Sequence, residues 1–454
     1  MNYIEKLKLE LGEEKVSDSL EHREAFARDE SGIPELYLPD VVVHPESTED
    51  VVKIAKIAYE HDVPMTPRGA GTSLSGGPLT VHGGILVVFD RMNHIKEIDS
   101  DNLMVITEPG VITQNLQNEV ERFGMFYPPD PASLDQCTIG GNVATNAGGP
   151  RALKYGVTKH YLLELEVVLP NGEVVRFGKK TKKWVAGYDL PSLMTQSEGT
   201  LGFITEITLR LIPLPHYVQT FLVPFDDEVE ASKVVSEVIA RKILPRALEF
   251  IDRSSIDAAR EMLPPNIPTD ARAILLIELD GREDAVMAEA EEIAEICEKH
   301  GAMDIMASMD DRDRERIWQA RRDLLHALEE TGKIVRIEDI TIPRSRIPEA
   351  VSKVYEIEKE IGLTLAIFGH AGDGNIHINI LHDRGQEKLV DKVVERLCHV
   401  AVELDGTITG EHGIGILKKP HLHLEQSDRV ISLQRAIKNV FDPKGIMNPG
   451  KKLP

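Results

Sequence analysis

Pro67-Arg68-Gly69-Ala70-Gly71-Thr72-Ser73-Leu74-Ser75-Gly76-Gly77 has the composition of a loop that closes on an anion. Glycines let the backbone approach a bound group, and successive amide N–H groups form a nest for negative charge. Two readings compete. Gly69 and Gly71 begin a GxG pattern and Asp90 follows about twenty residues later, as a Rossmann turn asks. Leu74, however, stands where the third glycine belongs. A Rossmann turn must also open onto a helix, and Gly76, Gly77, Pro78, Gly83 and Gly84 exclude one here. No GxxxxGK[ST] P-loop occurs either. The stretch reads as a backbone cradle of another kind.

Two further clusters share this texture downstream. Thr138–Gly149 reads TIGGNVATNAGG, after Pro128-Pro129-Asp130-Pro131, and Ser197–Glu206 reads SEGTLGFITE. Between them run short β-rich segments, Gly84–Phe89, Leu103–Glu108, Leu163–Leu169, Glu173–Phe177 and Phe203–Leu211, with Asn171-Gly172 as a hairpin signal. One helix interrupts early, Thr48–Tyr59, with Ser47 or Thr48 as its cap. Three such loops in one β-rich region point to main-chain binding of a large polar cofactor.

Pro213-Leu214-Pro215 marks a boundary. Beyond it, helical periodicity over Asp226–Lys242, Glu283–His300, Asp311–Glu330, Ile347–Ile361 and Gln386–Leu404 alternates with strands at Ala247–Ile251, Ala273–Leu279, Ile334–Ile342, Leu365–Phe368 and Ile376–Leu381. This predicts an α+β domain with its sheet covered on one face by helices. The expected division is an N-terminal helical arm over 1–36, a cofactor domain over 37–215 and a cap domain over 216–454.

Composition sets limits. The 454 residues exceed one ordinary core. A net charge of −23 argues against nucleic acid as a partner, and an anionic substrate needs local cations. Three cysteines, Cys137, Cys297 and Cys398, stand far apart, which excludes a CxxC cluster site and structural disulfides. The first residues lack an apolar signal core and no apolar run is long enough to span a bilayer, so the expected place is the cytoplasm, or the periphery of a membrane through a partner.

Near the C-terminus, His370–Asn379 reads HAGDGNIHIN and Gly410–Gly413 reads GEHG. In Ile376–Ile380 the period is two, so His377 and Asn379 share one strand face and the isoleucines the other. His370 precedes across the Gly372-Asp373-Gly374 turn, and glycines flank Glu411 and His412. Two histidines and a carboxylate make an open ligand set for a divalent metal, and a third histidine remains as a base. Nitrogen and oxygen donors suit Zn first, with Fe, Mn or Co as alternatives. Single histidines are usually solvated or core residues; the joint occurrence carries the reading.

On these motifs the chain resembles the FAD-linked D-2-hydroxyacid dehydrogenases of the vanillyl-alcohol oxidase/PCMH superfamily, from about residue 37 to Asn448-Pro449-Gly450-Lys451. The family includes D-lactate dehydrogenase, glycolate oxidase catalytic subunit and D-2-hydroxyglutarate dehydrogenase. The resemblance implies a PCMH-type FAD domain of two α/β subdomains and a ferredoxin-like cap with an antiparallel sheet, the tail 442–454 returning to the flavin. It implies that Arg68, Gly69, Ala70, Gly71, Thr72, Ser73 and Leu74 hold the pyrophosphate. Gly140, Gly141, Asn142, Thr145, Asn146 and Gly148, with Gly199, Thr200, Leu201, Ile204 and Asn448, would contact flavin and adenosine. No histidine lies between Pro67 and Gly77, so the FAD is expected to be non-covalent.

The resemblance also assigns roles around the metal. His370, His377 and Glu411 are implied as ligands, His412 as general base, and Asn379 and Arg321 as substrate contacts; Arg336 is a weaker carboxylate partner. The implied reaction oxidises a D-2-hydroxy acid, D-lactate before glycolate or D-2-hydroxyglutarate, by hydride transfer to flavin N5. The electron acceptor would be external: an electron-transferring flavoprotein, a cytochrome, a quinone or a partner iron–sulfur subunit. A homodimer is the base-rate expectation. Two other readings are a flavin oxidase of another alcohol and a non-catalytic FAD-binding electron-transfer subunit.

Overall fold

The strand Met65–Arg68, which delivers the first glycine loop, lies at the edge of a four-stranded sheet with Val16–Ser17, Val41–Val43 and Ile85–Val88. Ile85–Val88 pairs in parallel with both Val41–Val43 and Met65–Arg68. A parallel pair needs a crossover, and the helix Thr48–His61 supplies it. Ser47 caps this helix by accepting the Asp50 N–H. Val51, Ile54, Ala55, Ile57 and Ala58 recur at helical spacing and are buried against Val41, Met65, Ile85 and Phe203. The Val and Ile side chains among them each contribute on the order of 1.5–3 kcal/mol by leaving water. The computed structural model describes all residues, Met1–Pro454.

A second sheet, fully antiparallel, runs in the order Ile95–Asp99, Met104–Thr107, Phe203–Arg210, Leu162–Val168, Val174–Gly178. The hairpin between the last two turns at Asn171-Gly172, where Gly172 takes φ +85°. The mixed sheet and the antiparallel sheet are the two subdomains expected of a PCMH-type domain. Two helices that periodicity does not announce lie here, Thr113–Glu121 and Ile139–Thr145. The second starts with Ile139-Gly140-Gly141, glycines that argue against a helix until Thr138 caps it through the Gly141 N–H at 3.2 Å.

The chain divides into two units. The first holds 1–148, 157–214 and 411–454; the second holds 149–156 and 215–410. The N-terminal arm belongs to the first unit, because Leu7 and Leu11 enter its core. Residues 149–156 join the second, where Lys154 Nζ and Tyr155 Oη bind the Asp280 carboxylate at 2.6 and 2.7 Å. The chain returns to the first unit at Glu411. Met447 bridges Met65 in parallel there, and the Met65 N–H donates to the Ile446 carbonyl.

The second unit is built on a seven-stranded antiparallel sheet: Met306–Ala307, Tyr217–Phe225, Ala273–Gly281, Ala247–Asp252, Thr364–Gly369, Asn375–His382, Ile334–Thr341. Successive residues of Ala273–Asp280 are all buried, so both faces of the sheet are covered, not one as its sequence suggested. One face packs Leu222, Ile251, Ile274, Leu276, Ala366 and Phe368 against Ile256, Ile317, Ala320 and Leu324 of the flanking helices. The helix expected over Asp311–Glu330 is two, Asp311–Arg322 and Leu324–Glu330, broken at Asp323. No helix of the chain is long and apolar enough to cross a membrane.

Candidate active site

The three glycine loops meet in the first unit, and the glycines are what let them close. A Cβ on Gly69 would lie 2.3 Å from Thr138 Oγ1, and one on Gly199, at φ +66°, would lie 2.3 Å from Pro67 Cγ. The third loop also hydrogen-bonds the second, Gln196 N–H to Val143 O at 3.0 Å and Glu198 N–H to Ala144 O at 2.8 Å. Within the first loop, Ser73 Oγ accepts the N–H groups of Ser75 and Gly77 and sets the turn.

Several polar side chains of these loops are engaged within the protein. Asn142 Nδ2 donates to Thr113 Oγ1 at 2.7 Å, Thr145 Oγ1 to Gly141 O, and Thr200 Oγ1 to Ser197 O. Asn146 Oδ1 accepts the Lys159 N–H. The Arg68 guanidinium packs against Gly71 of the same loop, donates to Arg28 O at 2.9 Å and lies over the Phe26 ring. Asn448 Nδ2 bridges Gly77 O and Glu198 O, tying the first loop to the third. What these loops offer a ligand is main chain, with Cβ-free backbone at each approach. That arrangement fits a dinucleotide-sized cofactor such as FAD held through amide groups.

In the second unit, His377 and Asn379 project from one face of Asn375–His382, since His377 pairs with Asp339 and Phe368, and Asn379 with Ile337 and Ala366. His370 lies beyond the end of Thr364–Gly369. Its Nδ1 is 2.7 Å from Glu249 Oε1, which fixes the tautomer with Nδ1–H donating and Nε2 turned outward. His370 Nε2 and His377 Nε2 are 3.5 Å apart. Two nitrogens bound tetrahedrally to one ion are separated by roughly 3.4 Å, given Zn–N bonds of about 2.1 Å.

Glu411 follows Gly410, whose N–H is held by Asp339 Oδ2 at 2.7 Å. Gly410 is required there, as a Cβ would meet Thr341 Oγ1 at 2.0 Å. One donor atom from each of His370, His377 and Glu411 lies within 4.8 Å of the others. Two imidazoles, one turned by a carboxylate, and one carboxylate oxygen fit a divalent ion.

Two residues of this site carry no signal in the sequence. Glu249, fully buried, accepts from His370 on one oxygen and from Arg321 Nε and Nη2 on the other, at 2.8 and 2.7 Å. Burial pushes its carboxyl up, but the His370 imidazole and the Arg321 guanidinium outweigh that and hold it at about 2. Asp339 organises Thr409 and Gly410. Arg321 is thus one link from His370, engaged with Glu249 and stacked over Phe368 at 4.7 Å. Asn379 is fully buried, donates to Ala366 O, and leaves Oδ1 without a partner. Arg336 pairs in register with Ile380, on the face away from His377, and binds Glu338.

Residues 39–178 match the family model described as FAD binding domain, and 214–452 match FAD linked oxidases, C-terminal domain. The chain is 42% identical to the glycolate oxidase subunit GlcD of Bacillus subtilis, over 91% of this chain and 89% of that one. It is 35% identical to a D-lactate dehydrogenase of Anaerostipes hadrus, over 99% and 96%. A D-lactate dehydrogenase of Archaeoglobus fulgidus is 38% identical over 90% of both. Among solved structures, p-cresol methylhydroxylase with substrate bound superposes with a TM-score of 0.82 at 18% identity, over 99% of this chain and 96% of that one. A 4-ethylphenol oxidase from Gulosibacter chungangensis gives 0.80 at 20%, with the same coverage.

Proposed function

The chain belongs to the FAD-linked oxidases, and on that premise we propose that it oxidises a D-2-hydroxy acid, with D-lactate first among substrates, to the 2-oxo acid. The observation that carries the reading is the His370–His377–Glu411 ligand set with His412 as the next residue. FAD, when bound, supplies the acceptor for the α-hydrogen and its electron pair. A divalent ion, when bound, supplies a Lewis acid that eases loss of the hydroxyl proton.

The protein's own groups do the rest. The His412 imidazole takes the hydroxyl proton. Glu249 keeps His370 in the tautomer whose Nε2 can donate to an ion. Arg321, charged and shielded by Phe368, is the cation proposed for the substrate carboxylate; its Nη1 points its remaining hydrogens away from the Glu249 bonds. Asn379 Oδ1, buried and unpartnered, is the acceptor proposed for a substrate donor. The reaction then balances: one proton goes to His412, one hydride leaves the carbon, and the C–O bond becomes a carbonyl.

Flavin reduction under anaerobic conditions with D-lactate, glycolate and D-2-hydroxyglutarate tests the reading. Bleaching by at least one supports it, and no bleaching by any removes it. His412→Asn should keep its flavin and slow reduction by about 10²–10⁴-fold, the usual worth of a general base.

A further inference from the structure

The segment that carries His412 is held from both sides by the loops that form the cofactor cradle. Glu198, in the third loop, is buried with a left-handed backbone at φ +53°. Its Oε1 accepts the Ile414 N–H at 2.9 Å and its Oε2 the Gly415 N–H at 2.7 Å, while Lys452 Nζ sits 3.1 Å from Oε1. From the first loop, Ser75 Oγ donates to the His412 carbonyl at 2.9 Å, and the Ser75 carbonyl accepts the Ile416 N–H at 2.8 Å. The approach is close enough to demand glycine: a Cβ on Gly415 would lie 2.0 Å from Ser75 O, and one on Gly413 would lie 3.2 Å from Glu198 Oε1. The clamp therefore grips main chain at 412, 414, 415 and 416.

We propose that Glu198 and Ser75 are positioning residues for His412, so that the loops that bind FAD also aim the base. The proposal rests on the reading of His412 as base. The physical argument is one of stiffness. A buried carboxylate with two charge-assisted bonds to consecutive N–H groups fixes both position and twist of the segment it binds. A base displaced by about 1 Å costs on the order of a hundredfold in rate. Ordering of the two loops by FAD is then also ordering of His412.

The test uses the full-length flavoprotein with Glu198→Gln, which keeps the shape but leaves one oxygen to accept, and Ser75→Ala, which deletes only the hydroxyl. Amide hydrogen exchange over 411–417 is read with and without added FAD, and the limiting rate of flavin reduction by D-lactate is read separately from its half-saturation concentration. In the wild type, FAD should slow exchange at Ile414 and Gly415. Glu198→Gln should speed that exchange and lower the limiting rate by roughly ten- to a hundredfold, with half-saturation changed less than about threefold. On a His412→Asn background the same change should have less than about a twofold effect, because the two act through one group.

A wild-type reduction rate in Glu198→Gln, or an equal loss with and without His412, would overturn the proposal. Should Glu198→Gln fail to retain FAD, Ser75→Ala decides by the same two criteria. A His412→Asn protein that reduces its flavin at the wild-type rate sinks the base assignment instead, and the exchange result separates that failure from failure of the clamp.

Discussion

Glu249 decides how the His370 imidazole is turned. It sits in Ala247–Asp252, a strand whose pattern reads as plain core, and its partners are 72 and 121 residues away in sequence. Glu249→Gln keeps the shape but replaces one acceptor by a donor, so His370 loses its fixed tautomer. The expected outcome is a divalent-metal affinity lower by about 10–100-fold, read by chelator competition, with FAD content unchanged. Asp252, at the end of the same strand, caps Arg253–Ala258 and is fully buried, which pushes its carboxyl up to about 7. An unfolded Asp titrates at about 4, so between the two values the folded state holds this proton while the unfolded state has released it. Stability contributed here is full below about 4 and is lost as pH rises from there through about 7. Urea unfolding of Asp252→Asn against wild type should show that slope flattened.

At the scale of elements, the three loops were readable because a glycine cluster gives up chain entropy that only a tight turn or a close backbone approach offsets. The alternation in Ile376–Ile380 likewise gave the face shared by His377 and Asn379 directly. Helix Ile347–Ile361 appears with the bounds its periodicity predicts. Elements whose signal is local chemistry against propensity were not readable. Ile139–Thr145 forms in a glycine-rich stretch because Thr138 caps it, and Asp323 breaks a run that is periodic across it. Glu249 and Asp339 were invisible for a third reason: strand register, set by long-range pairing, decides whom a buried acid meets. The contact of Gly199 with Pro67 makes an element-level prediction. Gly199→Ala must place a side chain at positive φ against a proline ring, a strain of about 1–3 kcal/mol. FAD affinity and the thermal midpoint should both drop, read by flavin release on dilution and by melting with added FAD.

For the whole molecule, the last segment of the chain is part of the cofactor unit. Lys438 Nζ donates to Met447 O at 2.7 Å and Lys451 Nζ to Gly77 O at 3.3 Å, beside the two bonds of Asn448. Burial lowers the Lys451 ammonium to about 7, a penalty accepted inside a loop network and not at a free tail. Deleting 446–454 should abolish FAD retention, and the stabilisation of about 2.7 kcal/mol that a hundredfold excess of ligand over Kd gives should vanish with it. The net charge of −23 sets the complement: an anionic substrate gains nothing from the overall field, which is why the proposal assigns its carboxylate to a buried cation, Arg321. The central claim joins flavin, metal and base in one reaction. It is tested most directly by following the flavin absorbance anaerobically after adding D-lactate or L-lactate, before and after chelation. The account predicts rapid bleaching by the D-isomer alone, lost on chelation and restored by a divalent metal; bleaching that survives chelation undiminished, or that does not distinguish the isomers, contradicts it.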